Sequence, residues 1–328
     1  MPITRRHFTA LAVAGAMTSL ARSASAAPRT VTVASLLGED KPETRIWHHI
    51  RDRVEERLPG RFSFRIVANA ALGGEKEVAE GIRLGSIQAS LSTLSALSTW
   101  VPETQLFDLP FLFDDADHLM RTAKGKSGQA IQGKLAEQGF VAPGFIIYGA
   151  RHLLTKTPVR RPEEMEGVRI RVIQSPLHQL LWSAYGANPT AIPIPETYNA
   201  LANGVVDAMD LTKSAYAGFH LYEVVPCLTE TAHIWAAGVV YFSAAFWNGL
   251  TEEEQEVLSA AAEEGAALFY EMIKDDEARS MELARKAGGE VVQPEDREAW
   301  VAGARKVWKT VAPDLGGLER IEAIHREG

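Results

Sequence analysis

Apolar and polar positions along this chain fall alternately into the two-residue period of a strand and the longer period of a helix. Val31 and Val33 alternate with polar residues, so Thr30 to Ser35 predicts a first strand. From Glu43 to Leu58, the residues Ile46, Trp47, Ile50, Val54 and Leu58 form one stripe at helical spacing, which Pro59-Gly60 ends. Arg61 to Val67 alternates again and predicts a second strand. After Leu72-Gly73-Gly74, Glu75 to Leu84 reads as a short helix with acids in its first turn, where the helix dipole favours them. Ile87 to Leu91 follows as a third strand. A β-α-β-α-β order requires parallel strands and right-handed crossovers, so the fold class is α/β.

Farther on, Leu109 to Phe113 reads as a buried turn-like run, followed by helices from about Ala116 to Glu137. Phe140 to Tyr148 predicts an apolar strand that ends at Gly149-Ala150-Arg151, and Val168 to Val172 predicts another. Helices are expected over Pro176 to Tyr185 and Thr197 to Asn203, and a strand over Val239 to Phe242 that returns to the first sheet. The longest element runs from Leu250 to about Gly288, opened by the capping box Thr251-Glu252-Glu253-Glu254 and broken by neither proline nor paired glycine. At 1.5 Å per residue a single helix here is on the order of 50 Å long, which outruns one domain and should lie across two; the alternative is two shorter helices broken near Lys274-Asp275-Asp276. The 46% apolar composition and chain length suit two domains. The expected division is 27–148 with 237–270 as domain I, and 149–236 with 271–328 as domain II.

The first 26 residues read as an address. Thr4-Arg5-Arg6-His7-Phe8 is a twin-arginine pattern, a weakly apolar run follows to Ala21, and Ala24-Ser25-Ala26 fits a signal-peptidase site. The run is too short for a membrane span, which needs about 20 strongly apolar residues, and no later segment qualifies. Export to the periplasm is the expectation. Removing Arg5, Arg6 and Arg22 leaves 31 basic against 42 acidic residues, a net charge near −11. That balance argues against nucleic acid and anionic lipid as partners, so any anion site must concentrate positive charge within one cleft. Cys227 is the only cysteine, which excludes an intrachain disulfide and thiolate metal clusters.

Enzyme signatures fail. Gly125-Lys126-Ser127 looks like the end of a phosphate loop, but Met120 stands where its first glycine belongs. The nine histidines offer no pair at the helical spacing of a metal site. No catalytic residue, cofactor or metal is expected. Arg171 is of another kind. Val168, Ile170 and Val172 point to one face of their strand, Arg169 and Arg171 to the other, which fits either a solvated face or a ligand site. A guanidinium presents a planar fork that matches a carboxylate bidentately. A helix opening at Pro176 would put the strand's C-terminal end at a crevice. Arg151, just past an apolar strand, could sit at a neighbouring strand end and hold the same small acid.

Several motifs carry a family resemblance. They are Leu72-Gly73-Gly74-Glu75, Pro110 to Phe113, Pro162-Glu163-Glu164-Met165-Glu166-Gly167-Val168-Arg169-Ile170-Arg171-Val172, and Gly186-Ala187-Asn188-Pro189. Glu196-Thr197-Tyr198, Leu201 with Gly204-Val205-Val206-Asp207, and Phe246-Trp247 before Leu250-Thr251 complete the set. In this order the chain resembles the solute-binding subunits of tripartite ATP-independent periplasmic (TRAP) transporters, of the dicarboxylate-binding DctP type. The resemblance implies a two-domain periplasmic-binding-protein-like fold, each domain a sheet flanked by helices, with a ligand cleft between them and a long helix spanning both. It implies Arg171 as the carboxylate clamp, Arg151 as its assistant, Glu75 and Thr93 as first-domain contacts, Gln174 as a polar contact, and Ile194 as a residue packing on the ligand. Many relatives place an asparagine where Leu211 stands in Asp207-Ala208-Met209-Asp210-Leu211. Ile194 and Leu211 then suggest a pocket with an apolar wall, to which Tyr148 and Trp235 would add aromatic surface unless they are core. The ligand expected is a small carboxylate with an apolar or weakly polar tail. Asp210 is the sole support for a bound metal of the kind that some relatives with keto-acid ligands use. The implied role is a monomeric receptor that delivers its ligand to the TRAP membrane permease, without inserting into the membrane. An exported cofactor-bearing enzyme, or a binding protein serving a sensor kinase, are the rival readings.

Overall fold

The structure is a computed structural model and describes residues 27–327, so the export signal read at residues 1–26 lies outside the described residues. Its strands are β1 (Arg29–Ala34), β2 (Phe62–Val67), β3 (Ala89–Thr93), β4 (Phe140–Thr155), β5 (Arg169–Val172), β6 (Asn188–Ala191), β7 (Ala208–Thr212), β8 (Cys227–Ser243) and β9 (Glu290–Val292). Among the described residues they form one nine-stranded sheet in the order β2-β1-β3-β8-β4-β7-β5-β6, with β9 paired to β8. β1 is parallel to β2 and β3, and β5 is parallel to β6 and β7. These two parallel groups are the centres of the two α/β domains. The antiparallel pair β4 and β8 runs through both and joins them.

Both joining strands outrun the sequence expectation. β4 continues past Tyr148 to 16 residues, and β8 spans 17 residues rather than Val239 to Phe242 alone. Their second-domain halves carry the buried polar residues Arg151, His152, Thr229, Thr231 and His233, which hide the apolar signal of a central strand. The register of β4 against β8 slips between Ile147 and Ala150 and again between Arg151 and Leu153. Gly149, at φ +100°, sits in the first slip, in a region that penalises a side chain. Three short strands also fall outside the predicted elements. β7 is buried along its whole length and so does not alternate, β6 contains Pro189 at the sheet edge, and β9 has three residues.

The helices are α1 (Pro42–Arg57), α2 (Glu75–Arg83), α3 (Leu94–Leu97), α4 (Ala116–Lys124), α5 (Lys126–Glu137), α6 (Pro176–Ala184), α7 (Ile194–Ala202), α8 (Lys213–Gly218), α9 (Ala244–Trp247), α10 (Glu252–Lys286), α11 (Arg297–Val311) and α12 (Leu318–Arg326). The predicted long helix is one piece. α10 has 35 residues, and its capping box closes reciprocally between Thr251 and Glu254. Its first half packs on α1, where Gly265 leaves room for Ile46 and Ile50, and its second half lies against α8.

Each domain has its own apolar core on the α10 face. Trp47, Ile50, Phe242 and Phe269 fill the first, and Leu154, Met209, Tyr216 and Met281 the second. On the opposite face one core runs from Phe107, Phe113 and Phe145 to Trp182, Trp300 and Trp308, so α11 and α12 tie the domains together there. Trp308 Nε1 donates to the Pro110 carbonyl at 2.8 Å, and His118 Nε2 pairs with the Ile324 carbonyl at 2.9 Å.

Candidate functional site

The two arginines of β5 share a strand face but not an environment. Arg169, at the outer end, is half exposed and ion-paired with Asp207, Nε to Oδ2 at 2.8 Å. Arg171, two residues inward, is 2% exposed. Its Nε donates to the Ile192 carbonyl at 2.8 Å, while its terminal nitrogens have no protein partner among the described residues. Burial and the nearby Arg151 lower its pKa to about 10, which still leaves it charged at neutral pH.

Arg151 is not at a strand end next to Arg171, as the sequence suggested. It lies within β4, and β7 runs between β4 and β5. Its Nε donates to Asp210 Oδ2 and its Nη2 to the Asp210 carbonyl, both at 2.7 Å. Burial raises the Asp210 carboxyl, but Arg151 and the imidazoles of His178 and His233 outweigh it and hold the group well below its ordinary range. His178 in turn bonds Asp108 Oδ2 at 2.5 Å, and Ser95 donates to the same oxygen. Asp210 is therefore a wholly buried support behind Arg151, not part of the cavity wall.

Between the domains lies a narrow, partly open cavity. Arg171, Arg151, Glu75, Thr93, Tyr148, Ile194 and Leu211, all singled out from sequence, line it together. Gln174 lines an adjoining recess with Glu75 and Arg171. Trp235 does not line either. It precedes the cavity-lining Ala236, so the pleat turns it to the other face of β8, where its Nε1 donates to the Asp114 carbonyl at 3.2 Å.

Glu75 is set by the turn before it. Gly73 takes φ +103°, and Gly74 lies close to Pro193 and Pro195 of the second domain, near enough that a Cβ there would touch both. α2 then starts with Glu75 Oε1 accepting from Thr93 N and Oγ1, each at 2.7 Å, and from Ser92 Oγ at 3.3 Å. Across the cavity, the loop from β1 to α1 also reaches the second domain. Leu37 abuts Gly218, and Lys41 Nζ meets Asp276 Oδ2 at 3.1 Å, an oxygen that also accepts from Ser214 at 2.6 Å. These contacts hold the two domains together over the cavity.

Sequence reasoning missed Leu36, Glu43, Ile173, Thr212, Ala215, Phe219 and Ala236, which complete the lining. Glu43 had a readable signal, because it sits three, four and seven residues before the buried Ile46, Trp47 and Ile50, on their helix face. It is 8% exposed and accepts no hydrogen bond among the described residues. Burial first, then Glu75, push its carboxyl up to about 8, against a smaller opposing pull from Lys41. Burial likewise raises the Tyr148 phenol well above its ordinary value, helped by Glu43 and Glu75. Among the described residues no group of three His, Cys, Asp or Glu is placed to hold a metal, and no helix is long and apolar enough to cross a membrane.

The pattern of the bacterial extracellular solute-binding protein, family 7, matches residues 33–314. A solute-binding protein of Verminephrobacter eiseniae is 29% identical over 273 residues, 82% of each chain. A TRAP periplasmic solute-binding protein of a Bradyrhizobium species, solved with galacturonate, superposes with a TM-score of 0.87 at 28% identity, covering 91% of this chain and 100% of that one. The counterpart from Shewanella oneidensis, solved with succinate, gives a TM-score of 0.87 at 27% identity, covering 92% and 99%.

Proposed function

The chain belongs to family 7 of the bacterial extracellular solute-binding proteins, and from that premise we propose that its interdomain cavity is a site for one small carboxylate. The protein is a receptor of TRAP transport and not an enzyme. The observation that carries the ligand class is Arg171, a buried guanidinium that lines the interdomain cavity and whose two terminal nitrogens have no protein partner among the described residues. A buried cation in that state is costly, and a carboxylate's two oxygens would satisfy its fork. Arg151 is already engaged by Asp210, so it assists with its remaining nitrogen. Galacturonate and succinate, found on the relatives, both carry the group this arrangement would take.

Leu36, Ile173, Ile194, Leu211, Ala215 and Phe219 give the cavity an apolar wall, which supports a ligand body that is apolar or weakly polar. The proposed domains are 27–148 with 237–270 and 149–236 with 271–328, turning about the register slip at Gly149. Capture would proceed by charge, and closure would follow because contacts to Lys41, Gly74 and Arg171 come together only in the closed form. The proposed receptor acts as a monomer in the periplasm, exported by its N-terminal signal, and hands its ligand to the membrane permease.

The test is thermal shift on protein stripped of ligand by unfolding and refolding, against a panel of mono- and dicarboxylates. A true ligand at about 100 times its Kd adds roughly 2.7 kcal/mol, several degrees for a chain this long. Shifts by a few acids in the wild type, absent in Arg171→Ala, would support the reading. A panel in which only highly hydroxylated acids bind would refute the apolar wall, and no shift by any acid would refute the clamp.

A further inference from the structure

The cavity is lined by groups of opposite charge carried on different elements: Arg171 on β5 and Arg151 on β4, against Glu43 in the first turn of α1. Glu75 is near enough to act on both arginines and on both Glu43 and Tyr148. Arg171 and Glu43 are each more than nine-tenths buried, line the same space, and lack a partner for the atoms that face it. No arginine or lysine bonds Glu43 or Glu75 among the described residues, since Lys41 Nζ is taken by Asp276 and Ser280. Two aromatic rings, Tyr148 and Phe219, line the cavity with the acids.

We propose that the cavity holds a cation subsite, formed by Glu43 and Glu75 with the rings of Tyr148 and Phe219, and that the solute is a zwitterion: one carboxylate on Arg171 and one ammonium group at Glu43. The inference rests on the carboxylate reading of Arg171. A dicarboxylate fits poorly, because its second charge would be directed at two acids. A neutral-tailed acid leaves a buried carboxyl with nothing to bond. An ammonium answers both carboxyls and gains further from aromatic faces in a dry site.

The proposal fixes a pH dependence. Glu43 is faced by Glu75 from α2, by Lys41 ahead of α1 and by Tyr148 from β4, and its pKa of about 8 means it is protonated in the empty cavity at neutral pH. A cation favours the ionised form, so binding releases a proton and affinity rises with pH toward about 8. A neutral ligand that accepts a hydrogen bond from the protonated carboxyl would show the opposite slope.

The experiment uses matched pairs in which a cationic nitrogen is replaced by a neutral group: γ-aminobutyrate against γ-hydroxybutyrate, glycine betaine against tert-butylacetate, and γ-butyrobetaine against its all-carbon isostere. Titration calorimetry on the stripped protein, in two buffers of different ionisation enthalpy, reads affinity and proton release together. In at least one pair the cationic member binds about tenfold tighter or more, with proton release. Glu43→Gln brings the ratio near one and removes the pH slope, while Arg171→Ala abolishes binding of both members. Neutral members binding as tightly as cationic ones, or a ratio unchanged in Glu43→Gln, would overturn the subsite. Binding by other carboxylates with none by any zwitterion would overturn it too and leave the clamp standing, whereas binding by no carboxylate at all removes the clamp and the subsite with it.

Discussion

Arg151 grips Asp210 twice, at the carboxylate and at the backbone carbonyl, each at 2.7 Å and both residues almost wholly buried. The pair spans two adjacent strands, β4 and β7, and backs the wall on which Arg171 stands unpaired. One arginine of the site is thus structural as well as functional, and the other is available to a ligand. That difference separates the expected effects of removing them.

Arg171→Ala should lower ligand affinity at least about tenfold and leave the melting temperature of the empty protein within a few degrees of wild type or slightly above it. The deleted charge has no counter-ion to lose. Calorimetry and thermal melts check the two halves separately, and a collapse in stability would make Arg171 a structural residue.

Asp210→Asn should act oppositely, destabilising the empty protein by about 3–5 kcal/mol because Arg151 is left charged and buried. The wild-type carboxyl is held below its ordinary value of 3.8, so its contribution is present above that pH and is lost as pH falls below it. Urea unfolding at neutral and acidic pH should show the mutant deficit shrinking in acid.

Glu43 gives the reverse slope. Its carboxyl is raised from 4.5 to about 8, so the fold favours the protonated form, and the stability of the empty protein declines as pH rises between those values. The decline is on the order of 5 kcal/mol. Glu43→Gln should flatten it, as melting temperatures across that range would show. Identical pH profiles for the two proteins would contradict the burial argument.

Lys41→Ala removes the ion pair to Asp276 that ties the β1–α1 loop to α10 and, through Ser214, to α8. Both side chains are largely buried, so the loss falls on the closed form. Affinity should drop several-fold, mainly through faster release, with little change in the melting temperature of the empty protein. Stopped-flow release of a bound ligand measures it, and an unchanged release rate would mean that the pair does not hold closure.

Local order was legible because it is written in neighbouring residues. The stripe from Ile46 to Val54 made α1, the Thr251–Glu254 box started α10, and Gly73-Gly74 bent the chain so that Glu75 opens a helix. The motif order around Arg171 carried the family, and with it Arg171, Arg151, Glu75, Thr93 and Ile194, which the structure gathers in one cavity with Tyr148 and Leu211. The later half of β4 and the earlier half of β8 were not legible, since their buried polar residues interrupt the apolar pattern and mimic a loop.

What the sequence by itself determined is the alternation of strands and helices, the single helix long enough to cross two domains, and a strand with two arginines on one face. Tertiary structure decided which arginine is solvated and which is buried, because depth in the cleft does not appear in a two-residue period. It also decided that Arg151 of β4 meets Asp210 on the neighbouring strand β7, that Trp235 turns away from the cavity, and that Glu43 turns into it. Each depends on residues far apart in the chain, whose meeting is set by packing rather than by any local pattern.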